Sequence, residues 1–150
     1  MTILMLDIDG VLHPEPHDEP TGKDVVLFSS LPLLHQLLEV IPGVDVVITS
    51  DWRLRLPADE IGDLLFGSAP DLRHRFLGVT PALPGGRFEY RGREKEVEAW
   101  MRENGSGRSW VALDDVAGNY TFGSKQLYLV DHRTGLTASD LPAIIGLLLD

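Results

Sequence analysis

The chain has 150 residues, with 13 Lys or Arg against 23 Asp or Glu and no cysteine. A net charge of −10 argues against broad, sequence-independent nucleic-acid binding, which needs a basic surface, but leaves room for one small basic site that handles a single phosphate. Without cysteine there are no disulfides, no thiolate metal sites and no thiol nucleophile. A hydrophobic fraction of 43% suits one globular domain over residues 1–150. No apolar run exceeds four residues, and even the stretch to Leu149 is only seven residues from Ala143 if Gly146 is counted, far short of the ~20 that span a bilayer. Met1 to Gly10 carries two aspartates and no basic region, unlike a signal peptide, so a cytosolic protein with no membrane partner is expected.

Ile3 to Leu6 reads as a short buried strand that runs into Asp7-Ile8-Asp9-Gly10. His13 to Asp24 holds three prolines and several charges and reads as a loop or small flap. A helix is expected from Leu31 to Val40, with Pro32 in its first turn and Leu33, Leu34, Leu37 and Leu38 as its apolar stripe. Pro42-Gly43 breaks the chain before a second strand, Val44 to Ile48, which ends in Thr49-Ser50-Asp51. Then come a helix over Ala58 to Phe66, a weaker strand over Arg75 to Thr80, and a loop over Pro81 to Gly92. A helix from Arg93 to Asn104 closes on Gly105. Trp110 to Leu113 is a strand ending in Asp114-Asp115, and Leu127 to Val130 is another. The last helix, Leu141 to Leu149, has Ser139 or Asp140 as its cap and Pro142 at its start. Strands alternating with helices predict an α/β, Rossmann-like three-layer sandwich around a mainly parallel five-stranded sheet.

In such a sheet ligands bind beyond the carboxyl ends of the strands. Asp7 and Asp9, Thr49 and Ser50, and Asp114 and Asp115 all fall at those ends. Four carboxylates in one cleft repel one another unless a cation lies among them, and oxygen ligands of this type suit Mg²⁺. A carboxylate next to a bound phosphate can attack phosphorus. Any one of these residues alone is better explained by a turn, a helix cap or a solvated lysine; their joint placement after separate strands carries the reading.

Those residues also carry a family resemblance. Leu6-Asp7-Ile8-Asp9-Gly10-Val11-Leu12 resembles the first motif of the phosphatase branch of the haloacid dehalogenase (HAD) superfamily. Val46-Val47-Ile48-Thr49-Ser50 resembles the second, Lys95 is the candidate third, and Leu113-Asp114-Asp115 resembles the acidic fourth. More narrowly, four segments resemble the compact HAD domains of Swiss army knife RNA-repair proteins and their bacterial stand-alone relatives. They are Thr49-Ser50-Asp51-Trp52-Arg53, Gly78-Val79-Thr80-Pro81, Arg93-Glu94-Lys95-Glu96-Val97-Glu98-Ala99-Trp100 and Trp110-Val111-Ala112-Leu113-Asp114-Asp115. The resemblance implies a phosphomonoester hydrolase working through an aspartyl-phosphate. Asp7 would be the nucleophile, and Asp9 the general acid and then base, with its carbonyl also on Mg²⁺. Thr49 or Ser50 and Lys95 would bind phosphate, with Arg93 the alternative cation, and Asp114 and Asp115 would hold the metal. The room between the motifs predicts a capless or minimally capped enzyme with a phosphorylated substrate, a nucleotide or nucleic-acid end being among the candidates. A non-catalytic phosphate- or Mg²⁺-binding module that keeps the fold is the alternative.

Several other residues stay open in the sequence. His13 and His17 could form a metal site or simply face solvent. Trp52 and Arg53 could stack a base and grip a distal phosphate, or pack on the sheet and pair with Asp51. Arg87, Arg91 and Arg93 are either a local basic patch or a solvated loop.

Overall fold

The computed structural model describes residues 1–15 and 25–150, so most of the loop expected over 13–24, His17 included, lies outside the described residues. Five strands form one sheet in the order β3-β2-β1-β4-β5: β1 (Thr2–Leu6), β2 (Asp45–Ile48), β3 (Phe76–Val79), β4 (Ser109–Asp114) and β5 (Leu127–Leu129). Every pairing is parallel, so the arrangement is an α/β, Rossmann-like one. The strand bounds fall within one or two residues of those read from the sequence.

Alternation along the central strands builds two apolar layers. Leu4, Leu6, Val46, Ile48, Val111 and Leu113 face one side. There they meet helices α1 (Leu31–Val40), α2 (Ala58–Phe66) and α4 (Leu141–Leu149). Ile3, Met5, Val47 and Ala112 face the other side, against Val97 and Trp100 of α3 (Gly92–Asn104) and Tyr120 of the loop after β4. Arg75, nearly buried, locks the first layer: its guanidinium donates to the carbonyls of Val44, Leu38 and Ile41, and so ties the end of α1 to the start of β2. The capping residues before α4 act one turn earlier than expected. Asp140 holds the N-cap position of α4, but its side chain makes no bond to that helix and instead forms a capping box with Thr137 on the preceding 3-10 turn.

The chain steps outward from β1 to β2 to β3, then returns through α3 to place β4 on the other side of β1. That reversal makes a crevice between the carboxyl ends of β1 and β4, the place where open α/β sheets bind ligands. Residues 53–92 supply α2, β3 and short turns, and no additional sheet or helical domain interrupts the described residues.

Candidate functional site

Parallel register carries the strand alternation past the strand ends. Asp7 N–H donates to the Leu113 carbonyl at 3.1 Å, and Thr49 N–H donates to the Leu6 carbonyl at 3.0 Å. Asp7, Thr49 and Asp114 therefore extend the row formed by Met5, Val47 and Ala112, and lie on the α3 face of the sheet. One carboxylate oxygen from each of Asp7, Asp114 and Asp115 lies within 4.8 Å of the others. Asp114 is wholly buried and held by Val116 N–H at 2.8 Å and Asn119 Nδ2 at 3.3 Å. Gly10 makes room for Asp115: its φ is +80°, and a Cβ there would come within 2.3 Å of Asp115 Oδ2.

This cluster is electrostatically loaded. Burial, and then the charges of Asp114 and Asp115, push the Asp7 carboxyl well above its usual range. Burial likewise lifts Asp114 to about 7, with Asp115 adding to the rise and the Val116 N–H opposing it. A site that cannot keep its carboxylates ionised alone is one in which a cation would be strongly held.

The positive charge facing the cluster belongs to Arg93. Its side chain is nearly buried, and it lowers the pKa of both Asp7 and Asp114. The guanidinium is fixed by Asp51 at 2.7 Å and Glu96 at 3.0 Å, whose charges more than offset the cost of burial and raise its pKa. Glu96 in turn accepts from Arg53 at 2.8 Å and from Leu83 N–H at 2.9 Å.

Lys95 is not brought into this cleft. Its ammonium pairs with Glu89 at 3.2 Å, and its side chain is 42% exposed. Two helical steps turn a side chain through about 200°, so with Arg93 turned inward Lys95 must face out. Position 93, the alternative weighed in the sequence, occupies the place that position 95 was expected to fill.

Asp9 stands apart from the three-carboxylate cluster. Its carboxylate accepts from His13 Nε2 at 2.7 Å and from Trp52 Nε1 at 3.1 and 3.2 Å. Phe28 N–H donates to His13 Nδ1 at 3.2 Å, so the ring carries its hydrogen on Nε2 and donates it to Asp9. The bond from His13 lowers the Asp9 pKa, burial opposes it, and Trp52 lowers it further. Thus Trp52 serves as a hydrogen-bond donor to Asp9, a role not weighed for it in the sequence. Arg53 braces the loop by donating to the carbonyls of Thr49, Ser50 and Thr80, and it also lies 3.7 Å from Asp51. Ser50 and Thr49 differ in place. Ser50 lines the cleft, and its Oγ accepts from Trp52 N–H at 3.3 Å, whereas Thr49 is fully buried below, with a hydroxyl that has no partner among the described residues.

The cleft has a volume of about 140 Å³ and is lined by Asp7, Asp9, Ser50, Arg93, Asp115 and Asn119, with Arg87 at its edge. Asp51 receives Arg87 at 3.1 Å, and the Arg87 guanidinium lies 5.0 Å above the ring of Phe88. Arg91 turns elsewhere, to Glu94 and Glu98, so the three arginines do not form one patch.

With this geometry in place, the comparisons with known proteins have a structural setting. A family model described as the HAD domain in Swiss Army Knife RNA repair proteins matches residues 3–141. The chain belongs to that family. Neither the curated proteins nor the solved structures give a match. The matched span takes in all five strands, the acidic cluster and the arginine that faces it. Sequence reasoning gave no role to Asn119, Tyr120 or Glu96. For Asn119 a signal was available, an amide five residues past Asp114 at the end of a short 3-10 turn; Glu96 was hidden in a charged helix.

Proposed function

We propose that this HAD domain is a Mg²⁺-dependent phosphohydrolase that cleaves a phosphomonoester through an aspartyl-phosphate on Asp7. The observation that carries the reading is the set of three carboxylates, Asp7, Asp114 and Asp115, gathered at the switch point of the sheet opposite a fixed arginine. The donor set is all hard oxygen, which suits Mg²⁺. Asp7, Asp114 and Asp115, with the Asp9 carbonyl, would hold it. When bound it supplies charge that keeps the carboxylates ionised and offsets the charge of the phosphoryl oxygens.

The remaining roles belong to the chain. A carboxylate oxygen of Asp7 attacks phosphorus as the bond to the leaving oxygen breaks, and Asp9 gives that oxygen its proton. In the second step Asp9 takes a proton from water, the water oxygen attacks phosphorus, and the bond to Asp7 breaks to release phosphate. The donors His13 and Trp52 hold Asp9 as the carboxylate, the form the second step uses. The first step needs the acid, and an incoming phosphate raises the pKa of a carboxylate beside it. Arg93, pinned by Asp51 and Glu96, presents its charge to the phosphoryl oxygens with no rearrangement, and Thr49 and Ser50 supply hydroxyl donors.

A cleft of about 140 Å³ admits a phosphate group but not a whole nucleotide, since pockets that enclose drug-sized ligands run to roughly 300–1,000 Å³. The rest of the substrate must lie across the rim. There Phe88 is 87% exposed, and Arg87, whose guanidinium lies over its ring, joins it to the cleft. A flat ring beside a guanidinium favours a base stacked outside the phosphate site, in keeping with a family named for RNA repair. The substrate we propose is the phosphorylated end of a nucleic acid, since a chain of net charge −10 does not favour long tracts of backbone. Hydrolysis of an aryl phosphate and of end-phosphorylated oligonucleotides, with Mg²⁺ and with chelator, tests the reading. Metal-dependent release of phosphate that Asp7→Asn abolishes is the expected result. Binding of Mg²⁺ or phosphate with no turnover would select the non-catalytic module.

A further inference from the structure

Among the described residues Tyr120 is the largest fully buried side chain, and its hydroxyl has no hydrogen-bond partner there. A phenylalanine would fill the same space without burying an unsatisfied oxygen, so packing alone does not account for a tyrosine here. The ring lies in the apolar layer on the α3 face, among Ile3, Met5, Val47 and Ala112. The next row on that face is Asp7, Thr49 and Asp114. Thr49 is fully buried in this row, and its Oγ1 is the second of three buried side-chain polar atoms without a partner among the described residues; the third is Arg91 Nε. Both hydroxyls thus belong to adjacent rows of one face of the sheet, below the proposed phosphate site. Burial, and then the charges of Asp114 and Asp7, push the Tyr120 phenol up, while the Thr49 hydroxyl opposes the rise, so all three side chains lie within electrostatic reach of the phenol.

We propose that Tyr120 is a positioning residue: its hydroxyl donates to Thr49 Oγ1 and turns the threonine's own hydrogen toward the phosphoryl oxygen. A threonine hydroxyl has one hydrogen and two lone pairs. With a donor beneath it, one lone pair is used and the hydrogen is left for the substrate. Nothing else described among the residues around it offers Thr49 such a donor. Transition-state stabilisation of this kind depends on donors aimed in advance, and a side chain locked in a packed layer is suited to aim one. The inference rests on the phosphohydrolase reading above.

The test uses the full chain with Mg²⁺ and an aryl phosphate. Tyr120→Phe should lower kcat roughly tenfold with KM little changed, the effect of one lost hydrogen bond that acts in the transition state. Its metal-free melting temperature should stay close to that of the wild type, because the loss of one hydrogen bond to Thr49 is offset by the removal of a buried polar oxygen. Thr49→Val should also lose activity, and the double variant should be no slower than Thr49→Val alone, since the two hydroxyls act in series. Beryllium fluoride with Mg²⁺ gives a readout other than turnover: it should stabilise Tyr120→Phe and Thr49→Val less than the wild type. An unchanged kcat in Tyr120→Phe, multiplicative losses in the double variant, or a lower melting temperature with full activity would each overturn the role of Tyr120. A wild type that neither hydrolyses phosphate esters nor responds to beryllium fluoride would overturn the phosphohydrolase reading, and this role with it.

Discussion

Replacing Asp114 with asparagine should make the metal-free protein more stable. The wild-type carboxyl is lifted from 3.8 to about 7 by burial and by Asp115, so at pH 8 the folded state holds a charge that the unfolded chain carries far more easily. That difference is worth roughly 4 kcal/mol against folding at pH 8. Asp7 and Asp114 titrate together, so part of it is shared. Asparagine keeps an acceptor for the Val116 N–H, but its amide nitrogen confronts the Asn119 donor, which offsets about 1–2 kcal/mol. A net gain of roughly 2 kcal/mol remains, or about 4–8 °C in melting temperature for a chain of this size. The sign follows from linkage. The folded protein keeps its proton to higher pH than the unfolded chain, so wild-type stability without metal falls as pH rises from about 4 to about 7. At pH 5 the penalty is only about 1.7 kcal/mol, about what the lost hydrogen bond offsets, so the advantage of Asp114→Asn should all but vanish there. Calorimetry in chelator at pH 8 and pH 5, then with millimolar Mg²⁺, checks the argument. Mg²⁺ should stabilise the wild type more than the variant by mass action on the native state. A variant that melts below the wild type in chelator at pH 8, or one with the same Mg²⁺-induced shift, would refute the convergent carboxylate cluster.

Arg93→Lys should cut kcat/KM at least tenfold, because a lysine cannot be held by Asp51 and Glu96 while keeping a planar face to the phosphate, whereas Lys95→Ala should stay within twofold of wild type; steady-state kinetics on an aryl phosphate separates them. Gly10→Ala should destabilise the fold by about 1–3 kcal/mol and weaken the Mg²⁺-induced rise in melting temperature, since the added Cβ displaces Asp115 from a backbone position that favours glycine. His13→Ala should slow esters with poor, alkyl leaving groups more than those with a nitrophenolate, because the former need the proton that Asp9 delivers; equal losses on both, read from initial rates, would remove His13 from the support of Asp9. Phe88→Ala should raise KM severalfold for an end-phosphorylated oligonucleotide and leave the aryl phosphate unaffected.

Much of the architecture is written locally. Ile3 to Leu6 and Val46 to Ile48 are apolar on both faces, which is what a parallel strand covered by helices requires, and Pro32, Gly105 and Pro142 mark helix ends through their own backbone chemistry. The acidic and hydroxyl residues that interrupt those runs follow the strands in sequence, so their arrival at one edge of a parallel sheet could be anticipated, and the three carboxylates do gather there. What the tertiary structure alone decided is which side chains turn inward. Arg93 and Lys95 are equivalent in composition and two residues apart. Only the seating of α3 against Tyr120 and the central strands, with Asp51 arriving from the loop after β2 to join Glu96 of the same helix, puts one in the cleft and the other in solvent. The partners of Asp9 were hidden for the same reason: Trp52 comes from 43 residues away. Tyr120 looked like any core aromatic, because an unpaired hydroxyl is a property of what surrounds it and not of the residue. Periodicity and backbone preference act over a few residues and are legible in order along the chain. Hydrogen-bond partners and electric fields are set by neighbours distant in sequence, and they exist only once the chain has folded.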